Sequence, residues 1–248
     1  EQLRQDFTQL YEGLKSSHVA LFANVSETDY QSQFDKVYRQ LSRPLSPLQA
    51  RIVFQEFVAL GKIAHARIDF PEQAYQQYRD ASGLAFPIYV EISDGRWTVA
   101  ESYATSTIPQ GSEITHINGE PVGLWFERLQ RFISADTPLI TASLLEFQLP
   151  EYLWLWDQKN AQQSQSYQLR LATDGKTSLV TVDTISRQTL RARAAGSEAS
   201  TSSATDEMRS YRWLAAGVGY LKPGPFYNAE NPNDVWNNAT FVAFIDEA

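Results

Sequence analysis

The hydrophobic period of this chain changes once, near Gly83, and that change restricts the fold more than any other feature. Before it, apolar residues recur at helical spacing. After it, short alternating runs are punctuated by Asx-Gly dipeptides, the pattern of antiparallel strands. An α+β fold with a helical head and a β-rich body is therefore predicted. In the head, Leu3, Phe7, Leu10 and Leu14 share one helix face, and Tyr30, Phe34, Val37 and Leu41 share another. Ser26 with Asp29 three residues on predicts a capping box. Ser46-Pro47-Leu48-Gln49 predicts a stronger helix start, with Ile52, Val53, Phe57 and Leu60 inward and Gly61 ending the helix in the left-handed conformation. A short helix is expected over 71–79. In the body, the strand-like run 86–92 turns at Asp94-Gly95 into 96–101. The run 114–117 ends at Asn118-Gly119, and 167–171 turns at Asp174-Gly175 into 179–182. Helices are expected over 122–133 and over 139–156, the latter interrupted by Pro150.

The tail is of another kind. Residues 194–207 are small and polar and cannot bury a core, so a flexible linker is predicted there. A strand is expected over 218–222, a turn or extended path at Pro223-Gly224-Pro225, and a helix from Asn237 to Ala248. The chain stops inside that last helix, so its end is expected not to be a natural domain boundary.

Composition narrows the function. The 248 residues suit two or three small domains better than one large core. A net charge of −8 without a basic cluster argues against nucleic acid and against an anionic membrane surface. No apolar run is long enough to span a bilayer. The absence of cysteine removes thiolate metal sites, thiol nucleophiles and disulfides, and fits an exported bacterial protein. No signal peptide is visible, which leaves open that one has been removed. His18, His65 and His116 lack metal-ligand spacing and read as structural or surface residues, and no metal or cofactor is predicted. No Gly-x-Ser-x-Gly, His-Glu-x-x-His or Walker loop is present. Asn24-Val25-Ser26 and Asn238-Ala239-Thr240 match glycosylation sequons. Trp125, Trp154, Trp156 and Trp213 are expected to fill cores and interfaces, the alternative being a ligand groove lined by Trp154 and Trp156.

Three stretches in order carry a family resemblance. Residues 109–122 (PQGSEITHINGEPV) resemble the PDZ signature of bacterial processing proteases, Gly-Asp-x-Ile followed by x-Ile-Asn-Gly-x-Pro-Val, with Ser112 in the usual Asp position. Residues 217–226 (GVGYLKPGPF) resemble the first strand of the protease core. The head, ending in Ala64-His65-Ala66-Arg67, resembles the N-terminal helical region, of whose closing motif only His65 survives. The chain thus resembles the N-terminal part of a tail-specific, C-terminal-processing serine peptidase of the S41 family.

The resemblance implies a helical N-terminal domain over 1–80, a PDZ-like domain with a helical insertion over 81–186, a flexible linker over 187–210, and the first strand and helix of an α/β protease core over 211–248. In the family a Ser nucleophile and a Lys base of depressed pKa lie downstream of that strand and helix, so no catalytic residue maps onto this chain and it is expected to be inactive by itself. The implied role is substrate recognition or regulation in an exported, periplasmic or secreted bacterial endopeptidase. Protein or peptide substrates, C-termini among them, are the implied partners. A PDZ domain receives a peptide as an added strand while loop N–H groups hold its carboxylate. Here that assigns Leu84, Ala85, Phe86, Ile88, Tyr89 and Val90 to peptide binding, with N–H donors from Leu84, Ala85, Phe86 and Ile88 and none from Pro87. A peptide-binding or scaffold protein without catalysis, a PDZ-shaped spacer and a carrier of small apolar ligands remain the alternatives.

Overall fold

The structure is a computed structural model that describes residues 1–196, 210–215 and 217–222. Most of the predicted linker, the Pro223-Gly224-Pro225 turn, the helix over 237–248 and the second sequon lie outside the described residues. The fold is α+β. Two compact units divide the chain, Glu1–Gly196 and Ser197–Ala248.

In the first unit, helices α1 (Gln2–Ser17), α2 (Glu27–Gln40) and α3 (Pro47–Ala59) enclose an aromatic core. Phe7, Tyr11, Tyr30 and Phe57 are almost completely buried in it. The buried face of α1 is turned toward Tyr11, and Leu3, Leu10 and Leu14 are only partly covered. The tyrosine ring stacks on Phe34 at 5.0 Å and on Tyr30 at 5.7 Å, so an aromatic face with a polar tip displaces the aliphatic stripe.

The helix starts follow their cap residues. Ser46 Oγ accepts from Gln49 N (3.2 Å) while Gln49 Oε1 accepts from Ser46 N (3.0 Å), a complete capping box. At α2 only half of that arrangement forms. Ser26 Oγ accepts from Asp29 N, but the Asp29 carboxylate turns to the Ser26 hydroxyl (2.7 Å). The end of α3 corrects the sequence expectation: Lys62, not Gly61, takes the left-handed conformation (φ 50°). Gly61 instead packs closely on Tyr30: a Cβ there would lie 3.0 Å from the Tyr30 hydroxyl, which would have to give by a few tenths of an ångström.

After α4 (Glu72–Asp80) the chain builds an antiparallel sheet from β1 (Ile88–Ser93), β2 (Arg96–Ser102), β3 (Glu113–Ile117), β5 (Ser166–Thr173) and β6 (Lys176–Asp183), in that spatial order, with β4 (Glu120–Pro121) paired to β3. Asp94-Gly95, Asn118-Gly119 and Asp174-Gly175 all have two successive positive φ angles. Such turns carry the right-handed twist that joins adjacent strands. β2 carries one extra residue opposite Tyr89/Val90, a bulge that leaves the alternation of β1 intact.

The helices α5 (Val122–Leu129) and α6 (Pro138–Lys159), with a 3-10 turn at Gln130–Phe132 between them, cover the apolar face of the sheet. Tyr75 of α4 packs in the same core. Pro150 lacks an N–H and crowds the carbonyl of Glu146, and α6 kinks at Gln148 (φ −130°, ψ 29°) instead of ending. Gln55 of α3, 3% exposed, donates to Phe132 O at 2.8 Å and ties the helical head to this layer.

The segment resembling the processing-protease signature runs as turn, β3, turn and α5. Ser112 is fully buried, and its Oγ accepts from Thr173 Oγ1 at 2.8 Å. Trp125 Nε1 donates to Ile117 O at 2.9 Å, fixing α5 on β3. Removing that donor in Trp125→Phe should cost about 1–2 kcal/mol, because the Ile117 carbonyl stays buried. Urea unfolding is the check, and an unchanged midpoint would contradict it.

Two elements were not legible beforehand. Residues 187–196 form a helix, α7 (Arg187–Gly196), where the linker was expected to begin. In the second unit the expected strand, β8 (Val218–Lys222), pairs with an unforeseen β7 (Ser210–Ala215). Among the described residues no helix is long and apolar enough to cross a membrane.

Candidate peptide-binding edge

β1 is an edge strand, paired only with β2 among the described strands. Its burial alternates, with Ile88, Val90 and Ile92 in the core and Glu91 and Ser93 exposed. A two-residue turn makes Ser93 and Arg96 the closing hydrogen-bonded pair. The backbone groups of Ile88, Val90 and Ile92 therefore point away from β2, toward the free edge. Ile92 N–H is already engaged there by the Glu146 carboxylate of α6.

The loop before β1 departs from the expectation that four N–H groups converge on a carboxylate. Leu84 N–H donates to the Tyr78 hydroxyl (3.0 Å), which in turn donates to Leu84 O (2.7 Å). Ala85 forms a two-way bridge with Ile185, at 3.0 and 2.9 Å. Of the four expected donors, Leu84 and Ala85 are committed to the fold. Pro87 contributes only its carbonyl, which accepts from Tyr103 N at 2.8 Å. The side chains of Ala85, Phe86, Ile88 and Val90 belong to the core, with Phe86 edge-on to Tyr167 at 5.0 Å. Tyr89 is half-buried and, with Ala85 and Phe86, lines a cavity beside that core.

That cavity, about 130 Å³, lies between α4, β1, the kink of α6 and the start of α7. Tyr75, Phe86, Tyr89 and Pro150 form apolar walls, and Glu151 and Arg79 also line it. Arg79 is 5% exposed, and its Nη1 donates to Gly83 O (3.0 Å) and Ile185 O (2.9 Å). Glu151 Oε2 is buried without a hydrogen-bond partner. Burial raises the Glu151 pKa above its usual value, nearby Glu72 adds to the rise, and the residue's own N–H and Arg79 oppose it. Burial likewise raises the phenols of Tyr75 and Tyr89. The arginine and glutamate of this cavity carried no sequence signal, because neither stands in a motif.

A larger cleft, about 720 Å³, separates α2 and α3 from the segment joining α5 to α6. Its lining is charged in both signs, including Lys36, Glu56, Glu127, Arg131 and Asp136. The Trp154 and Trp156 side chains do not share a groove. Trp154 packs on Phe70, Tyr75 and Tyr78, and Trp156 packs on Trp125. Two residues apart on a helix, they leave on nearly opposite faces.

His18 caps the end of α1, where its Nδ1 accepts from Ala20 N at 3.2 Å. His65 is exposed, and His116 Nδ1 sits 3.0 Å from Thr115 Oγ1. Among the described residues no group of His, Cys, Asp and Glu could hold a metal ion. The first sequon residue, Asn24, donates its amide to Lys62 O at 2.9 Å.

No family model and no curated protein matches the sequence. Among solved structures, the fold is similar to the crystal structure of mature CPAF, with a TM-score of 0.47 and 17% sequence identity. The similarity covers 73% of this chain and 34% of the other, so this chain spans about a third of that protein's length.

Proposed function

We propose that this chain is the non-catalytic N-terminal region of an exported bacterial serine endopeptidase of the S41 type, and that its PDZ-like sheet recognises or regulates protein substrates. The observation that carries the reading is the outward backbone of Ile88 and Val90 on the edge of β1 that no described strand pairs, where Ile92 N–H is held by Glu146, in a chain whose 109–122 segment has the order of the processing-protease signature. An extended peptide gains affinity at such an edge from main-chain hydrogen bonds. In this reading 211–248 is the start of the protease core, and the nucleophile and its base belong to sequence that follows it in the family.

The committed donors alter what the edge does. With Leu84 and Ala85 N–H engaged, only Phe86 and Ile88 remain of the four expected donors, so a C-terminal carboxylate gains less over an amide than the full set would give. Matched peptides with free and amidated C-termini should therefore bind weakly, with the free C-terminus preferred over the amide by no more than about tenfold, the gain that one charge-assisted hydrogen bond gives. Backbone amide shifts at Ile88–Ile92 are the readout. Absence of shifts there with every peptide would sink the recognition role. Glu146→Ala frees the Ile92 N–H and should tighten binding by about three- to tenfold. A second expectation concerns chemistry: a fluorophosphonate probe should label no serine of this chain, and labelling of one serine together with substrate cleavage would overturn the non-catalytic assignment.

A further inference from the structure

We propose that the cavity beside Glu151 is a subsite for an alkylammonium group, the lysine side chain of a peptide lying along β1. This rests on the reading of β1 as a peptide-receiving edge and adds to it the chemistry of one preferred side chain.

The cavity has the parts that such a group needs. The rings of Tyr75, Phe86 and Tyr89 line it, and the quadrupole of an aromatic face attracts a cation. Glu151 supplies the opposite charge at the same wall, and its Oε2 has no hydrogen-bond partner. A carboxylate left unpaired in such a place is costly, and a donor of opposite charge is what removes the cost. At 130 Å³ the cavity is larger than a single water needs and has room for a short unbranched alkyl chain ending in an ammonium.

The positive groups at the same cavity are already occupied. Arg187 pairs with Asp80 at 2.7 Å and hydrogen-bonds Gln76. Arg79 directs Nη1 to the carbonyls of Gly83 and Ile185. Neither forms an ion pair or hydrogen bond with Glu151, so a ligand ammonium would supply the direct partner that its carboxylate lacks, with the Arg79 charge nearby as the opposing influence. Tyr89 places the cavity at β1 itself, one residue from the outward backbone of Ile88 and Val90. A strand added at this edge would thus pass close enough to lower a long side chain into it.

The test uses the isotope-labelled 248-residue chain and four probes. These are n-butylammonium chloride, sodium butyrate, and two acetylated, amidated pentapeptides with lysine or norleucine at the centre. Butylammonium, but not butyrate, should shift the amides of Tyr89, Glu151 and Leu190. The lysine peptide should bind at least about tenfold more tightly than its norleucine counterpart, the scale of one charge-assisted hydrogen bond. Glu151→Gln should abolish that preference, while the wild-type comparisons decide the matter even if this variant folds poorly. Equal binding of the two peptides, or no response to butylammonium, overturns the subsite. A response to butyrate instead also overturns it and assigns the cavity to Arg79 as an anion site. If both peptides shift Ile88–Ile92 equally, the edge reading stands and the subsite falls. If butylammonium shifts the cavity residues but neither peptide reaches Ile88–Ile92, the edge reading falls, and with it the assignment to a peptide lysine, while the cavity's affinity for ammonium is retained.

Discussion

Replacing Gly83 by alanine should destabilise the protein by about 2–3 kcal/mol, the cost of forcing a methyl group into filled space. An added Cβ would stand 2.4 Å from the Tyr78 carbonyl oxygen and 2.6 Å from two carbons of its ring. Neither neighbour can easily retreat. The carbonyl accepts the Gly83 N–H at 2.9 Å, and the ring is held by its hydroxyl's two bonds to Leu84 and by contact with Trp154. The Gly83 carbonyl is itself held by Arg79 at 3.0 Å. Close approach rather than an unusual φ makes the glycine necessary; the left-handed residue of this turn is Ser82, at φ 66°. Gly123 is the control, since it lies in α5 with nothing within 4 Å of an added Cβ. Gly123→Ala should be neutral or stabilising by up to about 1 kcal/mol, as expected for a helical glycine. Thermal and urea unfolding of both variants provide the measurement. Equal stability of Gly83→Ala and wild type would show that the 81–86 turn shifts freely.

The contrast between Gly83 and Gly95 shows where sequence reasoning has purchase. Asp94-Gly95, Asn118-Gly119 and Asp174-Gly175 announce themselves because two adjacent residues contain the whole cause of the turn. The Ser46 cap is likewise complete within four residues. Gly61 misled for the opposite reason. Its role is set by Tyr30, thirty-one positions earlier, while the neighbouring Lys62 takes the strained φ. The donors of the 84–86 loop failed in the same way. Whether Ala85 N–H is free depends on Ile185, a hundred residues away, and no local pattern reports that pairing. The hydrogen bond from Ile92 to Glu146 likewise joins residues fifty-four positions apart, which no local pattern reports. α7 went unseen because Leu190 is its only large apolar residue and one such residue sets no period, and β7 because Tyr211 and Trp213 in a six-residue run beside a small, polar stretch give too short an alternation to read as a strand.

Glu151→Gln should separate stability from recognition, and pH should reveal it. Burial raises the folded-state pKa of Glu151 above its ordinary 4.5. The folded protein then holds this proton more tightly than the unfolded chain does. The stability that follows is fully present below the unfolded value and is lost as pH rises through the folded one, where the buried group must ionise. Glutamine has no proton to lose. The melting temperature of the variant minus that of wild type should therefore be smallest near pH 3, grow more positive as pH rises through the folded pKa, and level off above it. Other titrating groups act on both proteins, so they largely cancel in the difference; Glu72 and Arg79, which act directly on Glu151, are the ones to keep unchanged. A difference that stays constant with pH would mean that Glu151 is not protonated more readily in the fold. In the ammonium-subsite proposal the same substitution removes the lysine preference. A carboxylate that costs stability when alone and restores it when a cation arrives is the behaviour of a binding residue, because sites are where a fold tolerates groups its core would not select. Adding n-butylammonium at neutral pH should then raise the melting temperature of wild type and leave the glutamine variant unmoved.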